Sequence, residues 1–428
     1  MKRVLFIAFH FPPGGGAGVQ RSHAFVRDLP AEGWEPVVLT GPGRALGTWA
    51  PSDPSLGAAV DAGLAVERVP GPVPADSAGW HSRAERILRR PTSFARWWRS
   101  GIADLGGRQD TIHLVFASMA PYESASAAAA VARRLGVPWV ADLRDPWALD
   151  EMREYPSGLH RALELRQMRR DLGSAAAIVM NTDEAASLAR DRAGFAPDRV
   201  FAITNGFDAA DFAGPPPSIA EGPLRIVHTG TMHTEFDEHG ALRRSLGGLS
   251  GALPRTRSHA VLMEGLRSLF ARRPDLRSAV EVHLAGLLGP ADREVDGLGV
   301  IREHGYLTHG ESVELLRGAD LLFLPMHDLP AGRRASIVPG KTYEYLGSGR
   351  PLLAALPDGD ARDLLSGIPW ADVVRPGDAT GMAAVVERAA DERRDRGRAP
   401  DGDTSLVARF ERRRLTTELA RVLDAVAG

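Results

Sequence analysis

The sequence contains no cysteine, which excludes both a disulfide framework and a zinc site built on thiolates. Nothing in the chain therefore requires an oxidising compartment. An excess of charge is missing as well, because 52 Lys and Arg residues stand against 54 Asp and Glu residues. A general nucleic-acid-binding protein needs a basic excess, so we do not expect nucleic acid as a partner.

Long apolar runs are also absent. The run Val4–Phe9 is too short for a signal peptide or a membrane span, and no other stretch approaches the ~20 apolar residues of a spanning helix. A hydrophobic content of 44% and a charged content of 25% are typical of a globular chain. We expect a cytoplasmic protein whose 428 residues form two or three domains.

Short apolar runs alternate with amphipathic helical stretches along the whole chain, which predicts parallel sheets with helical crossovers. The alternation is interrupted by a turn and a proline triplet at 215–217, which is typical of a stiff connector. The sequence therefore predicts an α/β protein with two parallel-sheet domains. The predicted segments are domain 1–205, linker 206–222, domain 223–404 and terminal helix 405–428.

A glycine-rich loop follows the first predicted strand, in FPPGGGAGVQR at 11–21. As a dinucleotide fingerprint it is poor, because Gly16 and Gly18 fit the first two glycines but Arg21 stands in place of the third. Thr40 ends the next strand where an acidic residue would hold a ribose. A dinucleotide oxidoreductase is therefore disfavoured. The small residues either let the backbone approach a ligand or form a plain flexible loop.

Basic residues and tryptophans are interleaved between His81 and Arg99. Such a segment can contact an anionic membrane surface or a lipid-phosphate acceptor. A solvated helix face with the tryptophans packed inward is the favoured interpretation. Peripheral contact with the inner face of a membrane stays open on this pattern.

Polar residues follow two other predicted strands. Ser118 ends TIHLVFAS at 111–118, and Arg144 and Asp145 follow the strand at 138–141. The carboxyl ends of parallel strands line the crevice where open α/β sheets bind ligands. The alternative is an Asp–Arg ion pair that fixes the loop.

The stretch SIVPGKTYEYLGSGRPLLA at 336–354 predicts a Pro-Gly break, a short helix from Lys341 and a buried strand. A helix start presents unpaired N–H groups and a partial positive charge, which suit a phosphate. Lys341 opposes the helix dipole there, and a bound anion would remove that conflict. Glu344, one turn further on, can reach a sugar hydroxyl. The alternative is a capped surface helix.

Five stretches together resemble the retaining glycosyltransferases of the GT-B fold, glycosyltransferase family 4. The resemblance covers nearly the full length. Its stretches are FPPGGGAGVQR at 11–21, PWVADLRDPW at 138–147, ITNGFDAADF at 203–212, HTGT at 228–231 and PGKTYEYLGSGRP at 339–351.

The resemblance implies two Rossmann-like domains facing across a cleft, with a nucleotide-sugar donor on the second domain and the acceptor on the first. It implies transfer to a hydroxyl with retention of anomeric configuration and no cofactor or metal, a UDP-sugar being the expected donor. The terminal helix would return to the first domain. The implied catalytic residues are Lys341, Arg255 and Arg144; the donor-binding residues are Gly15, Gly16, Gly18, Gly230, Val338, Gly340, Thr342 and Glu344; the acceptor-side residues are Ser118 and Asp145.

The chain departs from the family pattern at two places. Ser336 stands where many members carry a second glutamate that contacts the sugar. The basic residues that usually follow the HTGT glycine are displaced by the segment 232–259, which is long for a loop and suggests a lid. We assign their role to Arg255, with Arg257, Arg243 and Arg244 as alternatives.

Three rival functions remain: a nucleotide-sugar 2-epimerase, a non-catalytic nucleotide-sugar-binding protein and the disfavoured oxidoreductase. The acceptor, whether a small aglycone, a saccharide or a lipid-linked glycan, and the oligomeric state are not readable from the sequence. Asp-Gly-Asp at 358–360 and at 401–403 resembles a metal-binding motif of another transferase class, but ordinary turn chemistry is the favoured interpretation.

Overall fold

The computed structural model describes residues 1–428 apart from 16, 44–52, 54–55, 58–59, 61–62, 75–91, 110, 215–216, 218–221, 235–245, 249–250, 296 and 398. The chain divides into two compact units. Unit 1 comprises Met1–Leu149, Leu163–Asn205 and Arg412–Gly428. Unit 2 comprises Asp150–Ala162 and Gly206–Glu411.

The described residues of unit 1 form a seven-stranded sheet. Its strands are β1 Lys2–Ala8, β2 Trp34–Thr40, β3 Ala65–Arg68, β4 Leu114–Met119, β5 Trp139–Leu143, β6 Ala177–Met180 and β7 Val200–Ala202. The order is β3-β2-β1-β4-β5-β6-β7, and all neighbours pair in parallel.

The described residues of unit 2 form a six-stranded sheet. Its strands are β8 Leu224–Thr229, β9 Val280–Ala285, β10 Ile301–Gly305, β11 Leu321–Pro325, β12 Leu352–Ala355 and β13 Ala371–Val374. The order is β10-β9-β8-β11-β12-β13, again with parallel pairing throughout.

Helices connect the strands in both units. Within the described residues they are α1 Ala17–Asp28, α2 Ser93–Gly106, α3 Glu123–Leu135, α4 Gly158–Leu172, α5 Asp183–Asp191, α6 Ala260–Arg272, α7 Pro290–Glu294, α8 His309–Arg317, α9 Lys341–Ser348, α10 Asp360–Ser366, α11 Ala379–Arg396 and α12 Arg412–Ala427. Local signals set several of their ends. Thr182 accepts a hydrogen bond from the Ala185 N–H at the start of α5, and Gly349 ends α9 in the left-handed conformation.

Helices cover both faces of the sheet of unit 1. Successive side chains of a strand point to opposite faces and therefore pack in different cores. On β1, Leu5 and Ile7 pack in the core that includes α2 and α3. Phe6, one residue further along the strand from Leu5, packs in the other core, which includes α1 and α12. Alternate residues of β11 in unit 2 also pack in two different cores, so both faces of that sheet are buried. The structure thus confirms the predicted α/β fold with two parallel-sheet domains.

Two predicted segments differ in detail from the structure. Residues Thr404–Phe410 form 3₁₀ turns, and Glu411 is extended, so the terminal helix begins at Arg412 rather than at 405. Residues Asp150–Ala162, which lie inside the predicted domain 1–205, belong to unit 2. The proposed linker 206–222 lies partly outside the described residues.

The tryptophans of the predicted basic segment pack inward where the structure describes them. Trp98 is fully buried and donates from its indole N–H to Ser124 Oγ, while Trp97 is half-buried and donates to the Pro70 carbonyl. Arg96 on the same helix is exposed. Residues 81–91 of that segment lie outside the described residues. Of the helices that the structure describes, none has the length and apolarity to cross a membrane.

We expect Leu419→Ala to lower the free energy of unfolding by about 2–5 kcal/mol. Leu419 lies on α12, is fully buried and packs in the core that contains β1, so truncation removes apolar contacts and leaves a cavity. Urea denaturation measures the change. Arg414→Ala, at an exposed position on the same helix, should change the free energy by less than about 0.5 kcal/mol; equal effects would contradict the inward packing of Leu419.

Candidate functional site

The candidate site of unit 2 lies where β8 ends. His228 is the penultimate residue of β8 and is buried. Its Nδ1 is 2.9 Å from the Phe323 carbonyl oxygen, and its Nε2 is 3.0 Å from Lys341 Nζ. A carbonyl can only accept, so Nδ1 carries the proton and Nε2 accepts from the lysine. Burial and the Lys341 charge hold the pKa of His228 well below its usual value, which keeps the ring neutral.

Gly230 lets the ammonium group approach the backbone after β8. Its φ is +109°, and a Cβ placed on it would lie 2.5 Å from Lys341 Nζ. Its N–H donates to the Ala285 carbonyl at 2.6 Å. A side chain here would be strained and would displace the lysine. The absence of a side chain at Gly230 therefore leaves the space that the Lys341 ammonium group occupies.

Lys341 is the first residue of α9 and is half-buried. Burial, and then the charge of Arg257, lower the pKa of Lys341 to about 7, while Glu344 acts in the opposite direction. Two cations and a helix N-terminus thus share one region. The chain contains only two lysines, the other being Lys2.

The arginine whose charge acts on Lys341 is Arg257. Its charge also lowers the pKa of His233, after burial, to about 3, and its carbonyl accepts from the His233 N–H at 3.2 Å. Arg255, which we assigned to the leaving diphosphate, is exposed in the same 3₁₀ turn. Arg243 and Arg244 lie outside the described residues.

The remaining donor-side residues surround the start of α9. Gly340 is the N-cap residue, Val338 is buried, and Glu344 is half-buried. Thr342 is fully buried; its N–H donates to the Pro339 carbonyl at 3.0 Å. Among the described residues, its Oγ1 has no hydrogen-bond partner.

Gly18, in the first turn of α1, makes room for Arg144. A Cβ placed on Gly18 would lie 1.1 Å from Arg144 Nη1, and Arg144 Nε donates to the Met119 carbonyl at 2.7 Å. Burial, and then the Arg144 charge, lower the pKa of His10 to about 4. The structure thus brings Arg144 and Gly18 together. Gly15 is buried, and Gly16 lies outside the described residues.

A buried ion pair lies beneath the glycine loop. Arg21 Nη2 is 2.7 Å from Asp142 Oδ1, and the Arg21 guanidinium also donates to the carbonyls of Ile203 and Thr204 at 2.9 and 2.6 Å. Arg21 therefore fixes α1 to β5 and to the residues that follow β7, a role that the sequence did not predict. The observed Asp–Arg ion pair therefore joins Asp142 to Arg21. It does not involve Arg144 or Asp145.

The two acceptor-side residues differ in exposure. Ser118 is buried and donates from Oγ to Asp142 Oδ2 at 3.3 Å, whereas Asp145 is exposed. Their assignment to an acceptor stays a prediction.

The aspartates of the two Asp-Gly-Asp sequences have structural partners or positions. Asp360 begins α10, Asp401 accepts from Arg350 Nη1 at 2.6 Å, and Asp403 accepts from the Ser405 N–H. Over the ranges that the structure describes, no group of three or more His, Asp and Glu side chains is arranged to hold a metal ion.

Comparison with known proteins adds a family match and structural likenesses. A family model described as "Glycosyl transferase 4-like domain" matches residues 15–206, which supports a glycosyltransferase. No curated protein sequence matches the chain.

Solved structures resemble the chain over its length. HepE from Anabaena, in complex with UDP and glucose, has a TM-score of 0.65 and 15% identity, covering 99% of this chain and 100% of that one. Sucrose-phosphate synthase from Thermosynechococcus elongatus has a TM-score of 0.58 and 15% identity, covering 100% and 96%. A putative UDP-N-acetylglucosamine 2-epimerase from Listeria monocytogenes has a TM-score of 0.56 and 14% identity, covering 99% and 96%. These likenesses show the fold, which matches GT-B structures.

We expect Asp142→Asn to lower the free energy of unfolding by about 3–5 kcal/mol, because the buried Arg21 guanidinium would lose its counter-charge. Urea denaturation again measures the change. Asp145→Asn, on the same stretch but exposed, is the matched control and should have little effect. A loss for Asp142→Asn no larger than that of the control would show that the ion pair does not hold α1 in place.

Proposed function

We propose that the chain is a metal-independent glycosyltransferase that moves a sugar from a nucleoside-diphosphate sugar to an acceptor hydroxyl with retention of anomeric configuration. A UDP-sugar is the proposed donor. The observation that carries the proposal is the ammonium group of Lys341, held between His228 and Gly230 at the start of α9. The family match at 15–206 and the UDP bound to HepE, which has the same fold, support it.

The charges of unit 2 favour an anionic ligand. Burial lowers the pKa of Lys341, and repulsion by the Arg257 charge lowers it further. The helix N-terminus adds to the positive potential. A bound diphosphate would be attracted by both cations and by the helix N-terminus, and it would offset their mutual repulsion. We assign the diphosphate to Lys341, Arg257 and the backbone of Val338, Gly340 and Thr342, and the ribose to Glu344.

The proposed reaction breaks the bond between the anomeric carbon and the phosphate oxygen. Negative charge then builds on the departing nucleoside diphosphate, and Lys341 with the α9 N-terminus stabilises it. The new bond forms between the anomeric carbon and the acceptor oxygen on the same face, while the acceptor proton moves to the departing phosphate oxygen. No side-chain nucleophile is required. Arg257, which lowers the pKa of Lys341, replaces the exposed Arg255 as the preferred second cation.

The roles proposed within unit 1 rest on the resemblance. Gly15, Gly18 and Arg144 are assigned to the donor sugar, and Ser118 and Asp145 to the acceptor. The acceptor is a small aglycone, a saccharide or a lipid-linked glycan.

We expect wild-type protein, incubated with UDP-sugars and a panel of acceptors in excess EDTA, to release UDP and form a product with the donor's anomeric configuration. Coupled UDP detection and proton NMR of the product measure both. Lys341→Met should slow turnover by about 10²–10³-fold, because charge on the leaving diphosphate would lose its nearest cation.

Four outcomes would contradict the proposal or one of its parts. Inversion at the anomeric carbon would reject the retaining reaction. Sugar turnover without any acceptor would favour the epimerase alternative, and binding without turnover a nucleotide-sugar-binding protein. Unchanged turnover in Lys341→Met would reject the role of this lysine.

The affinity for UDP should fall as the pH rises above about 7, the pKa of Lys341 in the empty site. A bound diphosphate stabilises the ammonium form and raises this pKa. Binding between the two pKa values therefore takes up a proton, and the affinity falls by up to about tenfold per pH unit. Calorimetry at pH 7, 8 and 9 measures the change.

The two lysines make the cause directly observable. In protein labelled with ¹³C at lysine Cε, the Lys341 signal should titrate near pH 7 and move to a higher midpoint with UDP, while Lys2 serves as an internal reference. A UDP affinity that does not change between pH 7 and 9, or a Lys341 midpoint that UDP leaves in place, would contradict this coupling.

A further inference from the structure

Unit 2 contains a buried carboxylate contributed by a distant segment of the chain. Glu151 lies in Asp150–Ala162, which belongs to unit 2 although its sequence neighbours on both sides belong to unit 1. Backbone hydrogen bonds fix this segment: the Tyr155 N–H donates to the Gly248 carbonyl at 3.0 Å, and the Gly158 N–H donates to the Leu246 carbonyl at 2.9 Å. The residues that follow Glu151 are thus attached to unit 2 by backbone hydrogen bonds.

Three donors from Ser336 and His327 converge on the Glu151 carboxylate. Oε1 accepts from the Ser336 N–H at 3.0 Å and from His327 Nε2 at 3.3 Å, and Oε2 accepts from Ser336 Oγ. Ser336 and His327 are fully buried, and Glu151 is 6% exposed. Burial raises the pKa of Glu151, but the hydrogen bonds from His327 and Ser336 outweigh it, so the pKa lies below its usual value. Glu151 is therefore ionised at neutral pH.

Glu151 is connected to Lys341 through Ser336. From Ser336 the chain runs through 337–340 directly into α9, and these residues carry the backbone groups that we assign to the diphosphate. The Ser336 N–H and hydroxyl are both held by Glu151. The Glu151 carboxylate thus fixes the loop at the end opposite to Lys341.

Glu151 is connected to Arg257 through His327. His327 stands between two residues that bond to Thr256: the Met326 carbonyl accepts from Thr256 Oγ1 at 3.2 Å, and the Asp328 N–H donates to that Oγ1 at 2.7 Å. Thr256 directly precedes Arg257. A displacement of His327 would therefore be transmitted to the turn that carries Arg257.

We propose that Glu151 is a positioning residue for the nucleotide-sugar site, holding the α9 loop through Ser336 and the Arg257 turn through His327. The inference rests on the proposed function. Both cations of the site depend on one carboxylate from the 150–162 segment. An amide in its place would remove the negative charge that strengthens these hydrogen bonds, and it would put an NH2 group where the Ser336 hydroxyl now donates, so that this bond would have to reverse.

Glu151→Gln should weaken UDP binding by about tenfold or more, since small displacements of positioned groups carry large penalties. Calorimetry at a temperature well below the melting temperature measures the dissociation constant. The matched control is Glu154→Gln, an exposed glutamate of the same segment, which should bind UDP within about twofold of wild type. A purely structural role would lower the melting temperature of Glu151→Gln without changing its dissociation constant for UDP.

Ser336→Ala provides a second route if Glu151→Gln does not fold. It removes one of the three hydrogen bonds and should weaken UDP binding by about threefold or more. The double variant should bind no more weakly than Glu151→Gln alone, because both changes act through one contact. Wild-type affinity in Ser336→Ala, or in folded Glu151→Gln, would overturn the inference alone. Wild-type protein that binds no UDP or other nucleoside diphosphate would overturn the proposed function as well.

Discussion

The ammonium group of Lys341 is the constraint on which the arrangement of unit 2 depends. It is held by a neutral histidine ring, lies against the backbone of Gly230 and is repelled by Arg257. A guanidinium stays charged at any pH the protein meets, whereas the lowered pKa of Lys341 lets this side chain titrate near neutral pH. Lysine is rare in this chain, which uses arginine almost throughout.

Unit 1 is organised by a different kind of charge. Arg21 and Asp142 are buried, mutually neutralised and bonded to further partners on both sides, so they are suited to hold structure and not to bind a ligand. Arg144, next to the same strand, is only partly buried and lies on the glycine loop. Unit 1 thus contains a buried, mutually neutralised charge pair and, close to it, an arginine that is only partly buried.

Local patterns predicted the fold and the start of the site. Continuous apolar runs such as that in β1 indicated parallel strands, and Pro339-Gly340 indicated where α9 begins. The partners of these elements could not be predicted, because they lie far away in the sequence: His228 meets Lys341 across 113 residues, and Glu151 meets Ser336 across 185. Arg255 and Arg257 share one short turn, and only the path of the backbone distinguishes them.

A crystal structure of the protein with UDP would test the proposed role of Lys341. We expect the diphosphate at the N-terminus of α9, within hydrogen-bond distance of Lys341 Nζ and close to Arg257, with the ribose hydroxyls on Glu344. A diphosphate bound elsewhere, with Lys341 still bonded to His228 and water at the start of α9, would contradict it.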